Sequence, residues 1–201
     1  MAYGFRPVTV NGSAYQTGGF QEFPINPSEA TRISNGDLCT LTDDYGVIVN
    51  GGVPTPLIVT AGSGGNTLPT FQALGVFVGC RYVDTNGTPT WNQYWPAAAG
   101  TEAFAFVVTD PLAVYKIQSS AEWVETALGN TVNPTLTAGA DSDGNSRAVV
   151  GALTDVANAC LRIVGVVRDG SDITSTDATP DILVQWSSPT CLLSGYQTAV
   201  A

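Results

Sequence analysis

Apolar residues along the chain fall in short runs, most of them bounded by Gly, Pro, Asn, Asp or Thr. The first group is Gly46–Asn50, Pro56–Thr60, Leu74–Val83, Ala103–Val108 and Ala113–Gln118; the second is Arg147–Leu153, Cys160–Arg168 and Asp181–Trp186. These runs are rich in β-branched and aromatic residues, have the length of strands and end in turn formers, which predicts strands. Short strands at this spacing point to a barrel or a sandwich. Alternation is clearest over Val114–Gln118, where Val114 and Lys116 share one face and Tyr115 and Ile117 the other. One segment predicts a helix of about two turns. Ser119 and Glu122 have the spacing of a capping box, Gly129 can end the helix by adopting positive φ, and Val124 and Leu128 between them fall on one face. Trp123 reads as a packed residue and Thr109-Asp110-Pro111 as a turn. The expected fold is all-β: a barrel or sandwich of short antiparallel strands with one short helix and an extended N-terminal arm.

Two stretches read as exposed loops: Val49–Gly65, rich in glycine with two prolines, and Asp169–Pro180, acidic and polar. Neither separates distinct compositions, so residues 28–187 read as a single β-rich domain between an arm, residues 1–27, and a tail, residues 188–201. The arm carries Tyr3, Phe5, Tyr15, Phe20 and Phe23, interleaved with Pro7, Pro24, Pro27 and four glycines. It is too aromatic for a solvated tail and too broken for a regular strand. Either it docks on a neighbouring subunit, where aromatic side chains are enriched, or it folds over its own core.

Composition removes several functions. The chain has 201 residues, 7 Lys+Arg against 17 Asp+Glu, a formal net charge of −10 and no histidine. Without histidine there is no Ser-His-Asp or Cys-His nucleophile and no histidine metal site. Six arginines and one lysine stand singly in an acidic chain, so no basic footprint for nucleic acid or an acidic membrane exists. Charged residues make up 12% against about 25% in an ordinary soluble domain, a surface suited to lying against other chains. No apolar run has the length of a membrane span, and the opening Met-Ala-Tyr-Gly-Phe-Arg-Pro lacks the pattern of a signal peptide. Cys39, Cys80, Cys160 and Cys191 form no CxxC pair; they read as buried thiols of a protein made in a reducing cytosol.

The candidate chemistry is sparse. Asp141-Ser142-Asp143-Gly144-Asn145 has alternating oxygens that suit calcium, but its glycine stands fourth and Ala152 occupies the twelfth position, so an Asp/Gly turn is the better reading. Asp169, Asp172, Asp177 and Asp181 read as solvated charge, and Glu122 with Glu125 as an exposed helical face rather than a glycosidase pair. Trp91, Tyr94 and Trp95 cluster in Thr90-Trp-Asn-Gln-Tyr-Trp-Pro96. They read as core or as a subunit contact, with a sugar platform as the alternative. Stacking on bases loses its electrostatic half without basic neighbours.

Beyond these features, the chain resembles a family of small capsid decoration (cement) proteins of tailed bacteriophages, of the marine-phage type. The resemblance runs through Met-Ala-Tyr-Gly-Phe-Arg-Pro-Val at the start, Asn11–Tyr15, Ile33–Leu38, Leu74–Tyr82, Thr90–Pro96, Ala105–Pro111, Gly144–Arg147, Leu161–Val167 and the strand at Ile182–Trp186, over about residues 1–187. It implies a β-rich virion structural protein, no enzyme, that needs no cofactor or metal. Such a protein binds the exterior of the capsid at junctions between major capsid subunits and stabilises the head. Its partners would be the major capsid protein and copies of itself, as in a trimer, with no nucleic acid and no membrane, assembled in the host cytoplasm. The contact residues implied are Tyr3, Phe5, Arg6, Tyr15, Phe20 and Phe23 of the arm, with Trp91, Tyr94 and Trp95. Pro189–Ala201 departs from the family's usual ending. The alternatives are a tail or adsorption component, a carbohydrate-binding module on the virion, and a glycoside hydrolase with paired carboxylates.

Overall fold

The computed structural model describes residues 2–10, 13–14, 19–25, 30, 32–41, 48–50, 74–97, 100–136, 143–155, 159–167 and 179–187. It is all-β, as the short turn-bounded runs predict. The first strands are β1 (Arg6–Val10), β2 (Ser13–Ala14), β3 (Gln21–Pro24), β4 (Leu38–Leu41), β5 (Ile48–Asn50), β6 (Gly75–Asp84) and β7 (Pro89–Asn92). There follow β8 (Gly100–Val108), β9 (Val114–Gln118), β10 (Thr131–Val132), β11 (Pro134–Thr135), β12 (Val149–Val150), β13 (Leu161–Val166) and β14 (Asp181–Trp186). One sheet has the order β10-β13-β14-β9-β1-β2; the second runs β3-β8-β6-β4-β5, with β7 hairpinned onto β6; β11 and β12 form a separate pair. Every strand pair is antiparallel.

Two apolar cores follow from the alternation of side chains along these strands. The first sheet turns Tyr115, Ile117, Leu161, Ile163, Ile182, Val184 and Trp186 towards the second, where Leu38, Val76 and Val108 meet them. The second sheet curls around its own interior, filled by Cys39, Phe77, Cys80, Tyr82, Trp95, Ala103, Ala105 and Val107. At Leu38-Cys39, Val76-Phe77 and Val107-Val108, neighbouring residues therefore serve opposite cores, and that part of the second sheet is buried on both faces. Continuous apolar runs are the sequence signature of such doubly covered strands.

The described part of residues 1–27 folds over the chain's own core, the second of the two readings open for the arm. β1 pairs with β9, placing Pro7 opposite Tyr115, and β3 pairs with β8, placing Phe23 opposite Ala105. Phe5 inserts between the sheets, edge-on to Tyr115 at 6.0 Å and stacked on Trp186 at 6.3 Å. Gly4 and Gly36 permit this approach. Both have positive φ, +71° and +92°, and a Cβ on Gly36 would stand 2.9 Å from the Phe5 backbone.

The expected helix is also corrected. Only Glu125–Ala127 forms a single 3₁₀ turn, preceded by an extended Val124. Ser119 does not cap it. Its hydroxyl accepts the Ala121 N–H at 3.0 Å, while the Ser119 N–H donates to the Pro180 carbonyl, extending the β9–β14 pairing, and the Ser120 N–H donates to the Val150 carbonyl of β12. Val124 and Leu128 consequently face solvent, whereas Trp123 is packed as expected and Gly129 does adopt positive φ, +87°. Tyr15, the run Pro56–Thr60, Cys191 and the tail 188–201 lie outside the described residues.

Candidate functional site

The face of the second sheet that meets the first sheet continues beyond it. β-Sheet register places Pro24 opposite Phe104, Phe104 opposite Arg81, and Arg81 opposite Trp91. Directly opposed residues point to the same face, so these four form one row across β3, β8, β6 and β7. Strands lie about 4.8 Å apart, so three spacings give the row a width of about 14 Å. Phe20 marks the border with the covered region: it packs on the inter-sheet core and lies 4.9 Å from the Phe106 ring.

The alternation along β8 sets the chemistry of this row. Ala103 and Ala105 point inward, where Tyr82 and Trp95 fill the interior, and Phe104 and Phe106 point outward. The Arg81 guanidinium lies over the Phe104 ring at 4.2 Å and donates to the Glu22 carboxylate at 2.9 Å. Both partners of this ion pair are about two-fifths exposed, so it orients more than it stabilises. Next to it the Trp91 indole is 69% exposed, the most exposed large apolar side chain among the described residues.

Trp91 stands on a rigid mount. The β6–β7 hairpin turns at Asp84–Thr88, where the Asp84 carboxylate accepts N–H bonds from Asn86 and Thr88, each at 2.8 Å. These bonds hold the Asp84 carboxyl below the usual carboxylate range. Gly87 takes positive φ at the tip. On the other flank, a bulge sets Arg81–Val83 against Thr101–Phe104, with Glu102 exposed in the left-handed region at φ 50°. A non-glycine residue there is strained, and the strain sits beside the row.

Of the other residues expected at an interface, Phe5 and Trp95 are corrected to the core, both fully buried. Trp95 exchanges backbone bonds with Ile33, at 2.8 and 3.2 Å, and its ring meets Tyr82 edge-on at 5.3 Å. Tyr94 is half-buried beneath the Arg32 guanidinium at 4.0 Å. Trp91, Tyr94 and Trp95 thus form no common exposed row, the arrangement that a sugar platform on this segment requires. Phe20 and Phe23 are partly buried against the two cores.

Tyr3 and Arg6 belong to a polar junction between the sheets. Arg6 donates to the side-chain oxygens of Asn35 and Asn145; Arg147 donates to Ala2 O at 2.7 Å and to Asp143 at 2.8 Å. The Tyr3 ring lies 5.1 Å from Lys116 Nζ, and Lys116 pairs with Asp181 at 3.3 Å. Burial first, and then Asp181, raise the Tyr3 phenol far above its ordinary value. These cations are engaged in fixing the N-terminus. Asp143 accepts the Asn145 N–H at 3.1 Å and Gly144 has φ +67°, the geometry of an Asp/Gly turn; Asp141 and Ser142 lie outside the described residues. Among the described residues no cluster of His, Cys, Asp and Glu could hold a metal ion, and no helix is long and apolar enough to cross a membrane.

The same junction buries Asp37, which accepts the Ser34 N–H at 2.7 Å. Burial pushes its carboxyl up to about 6, against the opposing pull of Ser146 and Ser34. The folded state therefore holds this proton more tightly than the unfolded chain. Between the ordinary carboxylate range and about 6, the Asp37 contribution to stability falls as pH rises. Asp37→Asn keeps an acceptor for Ser34 and removes the titration. Urea unfolding at pH 4 to 7 should show wild type losing up to about 3 kcal/mol relative to the variant over this range. Cys39, Cys80 and Cys160 are buried free thiols, and burial raises each, Cys80 and Cys160 to about 12, so none is poised as a nucleophile.

Sequence reasoning missed Arg81, Phe104, Glu22 and Pro24. The signal for Arg81 is its place between Cys80 and Tyr82, which alternation sends to the face opposite both. Comparison with protein-family models, curated proteins and solved structures finds no match to this chain.

Proposed function

We propose that this chain is a virion structural protein, which binds the exterior of a bacteriophage capsid at junctions between major capsid subunits and stabilises the head without turnover. The observation that carries the reading is the row Pro24–Phe104–Arg81–Trp91, with its indole 69% exposed on a braced hairpin. Arg, Trp and Tyr side chains are enriched at the energetic centres of protein interfaces, and a rigid mount lowers the entropy lost on docking. The sequence resemblance over about residues 1–187 supplies the setting.

The mechanism is burial. Each docked copy removes the Trp91 indole and the Phe104–Arg81 stack from water, and uncoating must expose them again. Many copies on one shell reinforce one another, so modest contacts suffice at each. An acidic protein on the outer surface also avoids the packaged DNA, which the same charge would repel. The experiment is to add the purified chain to empty expanded heads of the phage that encodes it. Saturable binding and a raised threshold for disruption of the heads are expected. Absence of both overturns the reading.

A further inference from the structure

The surroundings of the Trp91 row narrow the chemistry of what covers it. Asp84, Glu22 and Glu102 flank the row, and all three carboxylates are at the surface. Arg81 is the one cation of the row and is already paired with Glu22 at 2.9 Å. Arg6, Lys116 and Arg147 are engaged at the inter-sheet junction, and Arg32 lies over Tyr94. Among the described residues the face is an aromatic centre inside an acidic rim, on a chain of net charge −10.

We propose that this face is a docking surface for a protein that offers an apolar pocket to the Trp91 indole, rimmed by lysine or arginine side chains. This deepens the capsid reading above and rests on it, assigning the basic pocket to the coat subunit. Charge complementarity selects such a partner over a second copy of this chain, whose own acidic rim would meet like charge. It also separates the partner from a glycan, which would stack on the indole without responding to ionic strength. The strained Glu102 fits this role: its left-handed backbone and the bulge turn a carboxylate-bearing position to the surface beside the row.

The test titrates the full chain onto empty expanded heads of its phage at about 50 and about 500 mM salt, bracketing strong and weak screening. Wild-type affinity should fall as salt rises. Glu102→Lys should weaken binding by about fivefold at low salt and much less at high salt, as expected for a rim charge. Glu122→Lys makes the same change of net charge at an exposed position away from the row and should weaken binding less than twofold. Binding by wild type that ignores salt, or equal losses in the two lysine variants, overturns the basic rim and leaves the capsid reading standing. No binding by wild type at either salt overturns both. A concentration-dependent dimer in solution that Trp91→Ala abolishes assigns the face to a second copy and overturns the proposal.

Discussion

Replacing Phe5 by alanine is expected to cost about 3–5 kcal/mol of folding stability, a large share of the roughly 5–15 kcal/mol that holds a domain together. Phe5 is fully buried, packs on Tyr115 and Trp186, and belongs to the core that joins the two sheets. Its backbone N–H also donates to Gly36 O at 3.0 Å, so the segment leading into β1 helps to set the 33–37 turn. Removing the ring leaves a cavity at the junction of two layers, where neither layer can relax without disturbing the other. Urea unfolding monitored by near-ultraviolet circular dichroism measures the loss. Deletion of residues 1–5 should unfold the protein comparably, because it removes the same ring together with the Ala2 carbonyl that Arg147 holds. A loss below about 1 kcal/mol for Phe5→Ala would contradict the place of residues 1–5 in the core and favour an arm docked on a neighbouring subunit.

Trp91→Ala separates binding from folding in the opposite sense. The indole is mostly in water, so its removal should cost less than about 1 kcal/mol of stability, mainly the cross-strand contact with Arg81. Binding to expanded heads should weaken by about 30-fold or more, the loss expected on truncating an interfacial anchor worth about 2 kcal/mol. Equilibrium binding to heads, beside a melting curve of the free protein, gives both numbers. Equal weakening by Leu112→Ala, at another exposed apolar position, would show that Trp91 has no special place in the contact.

Much of the fold was legible because the strands carry their own boundaries. Asp181–Trp186 is a strand over the predicted residues, and Tyr115 and Ile117 share one face, as alternation predicts, the buried one. Partners were not legible. β1 finds β9 more than a hundred residues away, and nothing local in Arg-Pro-Val-Thr-Val names that strand. The helix failed for a local reason, since the Ser119 hydroxyl has an alternative partner two residues on.

The site was half legible. The Trp91–Pro96 segment stands out for its aromatic density, but the bend at Gln93–Tyr94 interrupts the strand and sends Trp95 inward while Trp91 stays out. In Ala103–Phe106 the small residues face the core and the large ones face outward. This reverses the reading that hydrophobic size alone suggests, because the interior there is already filled from Tyr82 and Trp95. Arg6 looked like a contact residue. Its partners Asn35 and Asn145 are 29 and 139 residues along the chain, and only the folded junction brings them together.

The most direct measurement is a cryo-electron microscopy map of the intact particle at side-chain resolution. The chain is expected on the outer surface of the shell, with the Trp91 indole seated in a coat-subunit pocket and Phe5 and Trp95 inside the protomer. A particle in which the chain meets the shell through another face, leaving Trp91 in solvent, would contradict it.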